Sequence, residues 1–204
     1  QSLADQGVEF READLLSAET PEDALFALVD KNTRLLTVSS IQFASGLRLD
    51  IDRIGQFCKD HKILFCIDAI QSIGAVQFDV QKCQADFVMA DGHKWMLGPE
   101  GLCVFYTTPT AREQLKLTQF GWHMMDNTHN YENKPWDIHP TAQRFECGSP
   151  NTMGIYALSA SLSLLLDTGM ASVEKQVLAN ACFLAEIIKL HPGLQLLTKQ
   201  RQGL

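Results

Sequence analysis

A chain of 204 residues, 46% of them hydrophobic and 20% charged, has the profile of an ordinary soluble globular protein with enough apolar side chains to bury a real core. Lysine and arginine number 17 against 24 acids, a net charge of −7, and no basic run occurs, so the electrostatic footprint needed to bind nucleic acid is missing. The longest apolar stretches, such as residues 162–166, fall far short of the roughly 20 residues that span a bilayer. The opening QSLADQGVEF lacks a basic-then-apolar signal pattern, so no membrane partner and a cytoplasmic location are expected.

In chain order, Thr20-Pro21-Glu22-Asp23 reads as a helix start: a threonine cap, proline in the first turn and acids behind it. A helix of about three turns carrying Leu25, Phe26, Leu28 and Val29 should follow. Residues 34–39 are short, apolar and partly β-branched, which predicts a strand, and Ser39 and Ser40 open a loop after it. Asp50 can cap a second helix whose apolar residues Ile51, Ile54, Phe57 and Cys58 share one face, ending near His61. The run 63–67 is apolar throughout, as expected of a central parallel strand covered on both faces, and Asp68 follows at its carboxyl end.

Residues 86–90 predict another strand, ending at Asp91-Gly92-His93-Lys94, and residues 101–106 a further one. Strands alternate with helices, so the class is α/β. Ligands of open α/β sheets collect beyond the carboxyl ends of the strands, the rim to which Asp68 and Lys94 are assigned. Residues 118–150 have no sustained period and are rich in Trp, His, Asn, Asp and Pro, which marks a functional loop. Two helices close the chain, one over the apolar stretch 155–166 and one capped by Ser172. The six cysteines have no C-x-x-C pair or regular spacing and sit in apolar runs, so most are read as buried thiols. His123, His129 and His139 with Asp126 lack the spacing of a zinc motif, and no metal is expected.

IDAIQS at 67–72 and DFVMADGHKWMLGPEG at 86–101 resemble the core of the class V aminotransferase family of fold-type I pyridoxal-phosphate (PLP) enzymes. That family includes cysteine desulfurases, selenocysteine lyases, kynureninases and isopenicillin N epimerases. RFECGSPN at 144–151 is similar to the family's Arg-Phe-Glu-x-Gly-Thr-Pro segment, so the resemblance runs along nearly the whole chain. It implies an aspartate-aminotransferase-like large domain, a mainly parallel sheet flanked by helices and incomplete at both ends. Residues 1–150 would form that domain, and residues 151–204 a helical link into a small domain.

The resemblance also implies the site. Lys94 would hold PLP as a Schiff base, an amine kept nucleophilic by its surroundings. Asp68 would keep the ring nitrogen protonated, Gln71 would bond the ring's phenolic oxygen, and His93 would help bind the phosphate. Ser149 stands where relatives have threonine reaching the phosphate of the neighbouring subunit, which implies a homodimer with shared sites acting on a small amino acid. Ser40 and Gln42 would line the loop over the cofactor, Trp122 would lie near the substrate, and Trp95 and Met96 would pack beside the lysine.

Two features depart from the family. Many relatives carry Ser or Thr near the position of Asp91, whereas a carboxylate there repels phosphate, so either Asp91 points away or the phosphate contacts differ. Family members also run to about twice this length. The strand matching residues 7–10 would then lack its partner, and this edge is expected to be poorly ordered or rearranged. The alternative to an enzyme is a structural fragment of the PLP fold that does not retain cofactor.

Overall fold

The computed structural model describes residues 3–128 and 136–197. Four strands make one sheet in chain order: β1 (Leu35–Ser39), β2 (Leu64–Asp68), β3 (Phe87–Asp91) and β4 (Cys103–Thr107). The first three are parallel, with Leu36 opposite Phe65 and Ile67 opposite Val88, and β4 returns antiparallel with Tyr106 opposite Val88. The α/β expectation is met.

The core lies on one face of this sheet. Leu36, Val38, Phe65, Ile67, Val88 and Ala90 alternate inward and are buried, with Phe65 and Ile67 wholly so. The run 63–67 was expected to be covered on both faces. Instead Leu64 and Cys66 are half-buried, and on the same face Leu35 and Met89 are exposed.

Helix α2 (Ile51–His61) packs Ile54 and Cys58 onto the core face, and the Asp50 carboxylate caps it as predicted, accepting from Arg53 N at 3.0 Å. Gly55 on this helix meets the backbone of Cys83 so closely that a Cβ would lie 1.8 Å from its carbonyl oxygen. Helix α1 (Pro21–Phe26) has only six residues, not three turns. Its continuation is replaced by a turn in which Asp30 Oδ1 accepts from Asn32 N (2.8 Å) and Thr33 N (3.1 Å), an Asx arrangement that competes with helical bonding. Phe26 stacks on Phe57 at 3.9 Å, and buried Glu22 accepts from Asp50 N at 2.7 Å, which ties α1 to the start of α2.

After β4 come α3 (Pro109–Gln114), short 3₁₀ turns at Trp122–Met124 and Ala142–Phe145, α4 (Thr152–Thr168) and α5 (Met170–Leu190). Asn151 caps α4, accepting from Gly154 N at 3.0 Å, and Leu158 joins the sheet core. Ser172 does not cap the last helix: α5 begins at Met170, directly after Gly169, whose φ of +84° turns the chain between the two helices. Residues 7–10 form no ladder and follow a 3₁₀ turn at Ala4–Gln6. No single described helix is long and apolar enough to cross a membrane.

Candidate active site

The carboxyl rim is built from three chain segments. Asp68 ends β2 and carries one donor on each carboxylate oxygen: Ser39 Oγ at 3.3 Å from Oδ2 and Ile70 N at 3.0 Å from Oδ1. Behind it, Ser40 N and Oγ both donate to the Asp68 carbonyl (3.0 and 3.2 Å), and the buried Ser40 and Ser72 hydroxyls lie 2.6 Å apart. Ala69 N donates to Met89 O at 2.8 Å, which joins the turn after β2 to β3. The aspartate is held from both sides with lone pairs left over, able to accept a further charged N–H.

Lys94 lies in the connection from β3 to β4. That connection is pinched at its base, where Gly98 N donates to Gly92 O and Gly92 N to Leu102 O, both at 2.8 Å. Met96 is buried and anchors the segment in the core. Lys94 itself is half-buried, and among the described residues no side chain pairs with its ammonium. Leu97 sits at φ +59°, a conformation unusual for a branched residue, in the same segment.

His93 Nδ1 lies 2.9 Å from Asp91 Oδ1. The Asp91 carboxylate thus lies against the histidine assigned to the phosphate, in ion-pair contact with it. The contact holds the Asp91 carboxyl below its ordinary value, against a smaller opposing effect of burial.

Gln71 accepts from Trp95 Nε1 at 2.9 Å. Ser40 faces inward as a support for Asp68 instead of lining the loop. Gln42 organises its own turn, its Oε1 accepting from Ala44 N (2.7 Å) and Ser45 N (2.8 Å). Ser149 is exposed ahead of α4, and no hydrogen bond joins it to Asp68, Gln71, His93 or Lys94 among the described residues. Trp122 is also exposed, edge-on to the His123 ring at 5.2 Å.

One residue packed against the lysine segment is not singled out by the sequence, and another is assigned there only to packing. Gly74, at φ +95°, lies so close to the lysine segment that a Cβ would stand 2.3 Å from Trp95 O. An isolated glycine just after a strand is the available signal for such an approach. Trp95 was read as packing, but its indole carries a donor that a polar site can use.

Among the described residues, no three His, Cys, Asp or Glu side chains gather as a metal site; His129 lies outside them. All six cysteines are free. Only Cys58 and Cys83 are fully buried, with Cys66 and Cys147 half-buried and Cys103 and Cys182 exposed, so fewer are core thiols than the sequence suggested. Burial pushes the Cys58 thiol up to about 12.

Comparison with solved structures identifies the fold. A cysteine desulfurase from Thermococcus onnurineus NA1, in its apo form, superposes with a TM-score of 0.70 at 26% identity, covering 82% of this chain and 41% of that one. A C-DES variant with glycine covalently linked to its PLP cofactor superposes at 0.82 over 93% of this chain and 51% of its own, at 22% identity, a likeness of fold alone. The sheet is therefore that of a PLP-dependent-enzyme fold.

The class-V aminotransferase family model matches residues 1–204, and the chain belongs to that family. A probable cysteine desulfurase of Methanothermobacter thermautotrophicus is 31% identical over 179 residues, 85% of this chain and 43% of that protein. A cysteine desulfurase of Yersinia pestis is 31% identical over 182 residues, 86% of this chain and 43% of that protein. The chain thus spans less than half the length of these relatives.

Proposed function

We propose that this chain is a PLP-dependent enzyme acting on a small amino acid, with Lys94 as the covalent anchor of the cofactor. The observation that carries the reading is the presence of two rim groups: a lysine amine in the turn after β3 that has no partner among the described residues, and a doubly held carboxylate at the end of β2. The residues fit the cofactor, because a free amine, a carboxylate with spare lone pairs and an amide with free N–H groups are what its aldehyde, ring nitrogen and phenolic oxygen need.

Bound PLP supplies an aldehyde that condenses with amines and a ring that withdraws electrons from the bond being broken. Lys94 would bind that aldehyde carbon and afterwards move the proton at the substrate α-carbon. Asp68, fixed by Ser39 and Ile70, would hold the proton at the ring nitrogen. Gln71 would donate to the phenolic oxygen, and His93, oriented by Asp91, would turn Nε2 toward the phosphate. Ser149, exposed and unengaged by these residues, would reach the phosphate in a second copy, which makes the working unit a homodimer with shared sites. A cytoplasmic location belongs to the same reading.

The relatives named as cysteine desulfurases make cysteine the first substrate to assay and carbon–sulfur cleavage the first reaction. The test is to add PLP, follow the cofactor absorbance, and measure alanine and sulfur released from cysteine beside racemisation and transamination. Uptake of PLP with alanine formation supports the reading. A colourless chain at excess PLP would overturn it in favour of a structural member of the fold.

A further inference from the structure

The bond between Trp95 and Gln71 settles which end of the Gln71 amide is free. An indole N–H is a donor only, so its partner 2.9 Å away must be the amide oxygen, and the opposite choice would set two donors against each other. The two N–H groups of Nε2 then remain, without an acceptor among the described residues.

Trp95 is well placed to impose this choice. Its carbonyl is pressed against Gly74, where a Cβ would lie 2.3 Å away, and the next residue, Met96, is buried in the core. The backbone under the indole is thus fixed on both sides. Gln71 and Trp95 also share the wall of a largely apolar cavity of about 490 Å³ with Phe43, Val177 and Ala181.

We propose that Trp95 is a positioning residue for Gln71: its indole N–H claims the amide oxygen, so that Nε2 presents its donors to the phenolic oxygen of PLP. The inference rests on the cofactor reading above. Without the indole bond the amide is free to flip, and its oxygen would then repel the phenolic oxygen it should neutralise.

The test compares the PLP-loaded 204-residue chain with Trp95→Phe, Gln71→Ala and the double variant, reading the pH midpoint of the bound chromophore and the affinity for PLP. A donor on the phenolic oxygen makes the chromophore release its proton more readily, so losing the donor raises the midpoint. Trp95→Phe should raise it in the same direction as Gln71→Ala and weaken PLP binding by roughly five-fold, the effect of one hydrogen bond. The double variant should match Gln71→Ala alone, because the two residues act as one unit.

A Trp95→Phe midpoint equal to wild type, or a shift that adds in full to that of Gln71→Ala, overturns the inference and leaves the cofactor reading intact. A wild-type chain that takes up no PLP overturns both. Should Trp95→Phe fold poorly, the Trp95 indole N–H resonance in Gln71→Ala supplies the same test: it must shift from its wild-type position, and an unmoved resonance overturns the inference.

Discussion

Replacing Gly74 with alanine drives a methyl group into the backbone that carries the lysine. The added Cβ would stand 2.3 Å from Trp95 O, 2.4 Å from Trp95 C and 2.8 Å from Met96 N, and no side-chain rotation can relieve contacts made by backbone atoms. Ordinary contact needs separations larger by about 1 Å, so the lysine segment must retreat by about that much. The positive φ of Gly74 adds strain of roughly 1–2 kcal/mol. A misplacement of about 1 Å at a reacting group costs on the order of 10²-fold in rate. Gly74→Ala should therefore slow borohydride-fixed incorporation of PLP by on the order of 10²-fold. It should also lose about 1–3 kcal/mol in urea unfolding. Gly101→Ala is the control: it lies in the same β3–β4 connection at φ +75° with nothing within 4 Å of its Cβ, so it bears the strain without the collision. Equal incorporation rates for Gly74→Ala and Gly101→Ala would refute the claim that Gly74 seats the lysine.

Three further outcomes follow from the geometry. Asp68→Ala removes the acceptor of Ser39 Oγ and Ile70 N; it should lose about 1 kcal/mol of stability, and loaded enzyme should lose nearly all turnover in a steady-state assay. Cys58, buried with its thiol pushed up to about 12, should resist alkylation at neutral pH while Cys103 and Cys182 react quickly, as read by mass spectrometry of timed samples. The folded-state pKa of Asp91 lies below its ordinary 3.8, so its contact with His93 contributes stability that is present above that value and lost as pH falls through the folded pKa. Removing His93 by alanine substitution should return the Asp91 titration toward 3.8, followed by carboxyl NMR, and an unmoved titration would rule out the pairing.

The parts of the fold legible in the sequence were those decided locally. Residues 34–39 and 86–90 had strand composition, and Asp50 stood directly before a helical period, so β1, β3 and α2 appeared within a residue or so of expectation. The length of α1 was misjudged because Asp30 closes a turn on Asn32 and Thr33, a competition that apolar spacing does not register. Ser172 has the composition of a cap, but Gly169, at φ +84°, makes the turn from which α5 starts two residues earlier. In the site, Asp68 and Lys94 could be assigned to one rim because each follows a strand in a parallel sheet. The seating of Trp95 on Gln71 and on Gly74 could not be read, because these contacts join two separate loops through tertiary packing with no period of their own.

The most direct measurement is borohydride reduction of the PLP-treated chain followed by peptide mapping, on wild type and on Lys94→Ala. The fixed cofactor should map to the peptide containing Lys94, and Lys94→Ala, still folded by circular dichroism, should retain none. Attachment at another lysine, or equal attachment in Lys94→Ala, would contradict it.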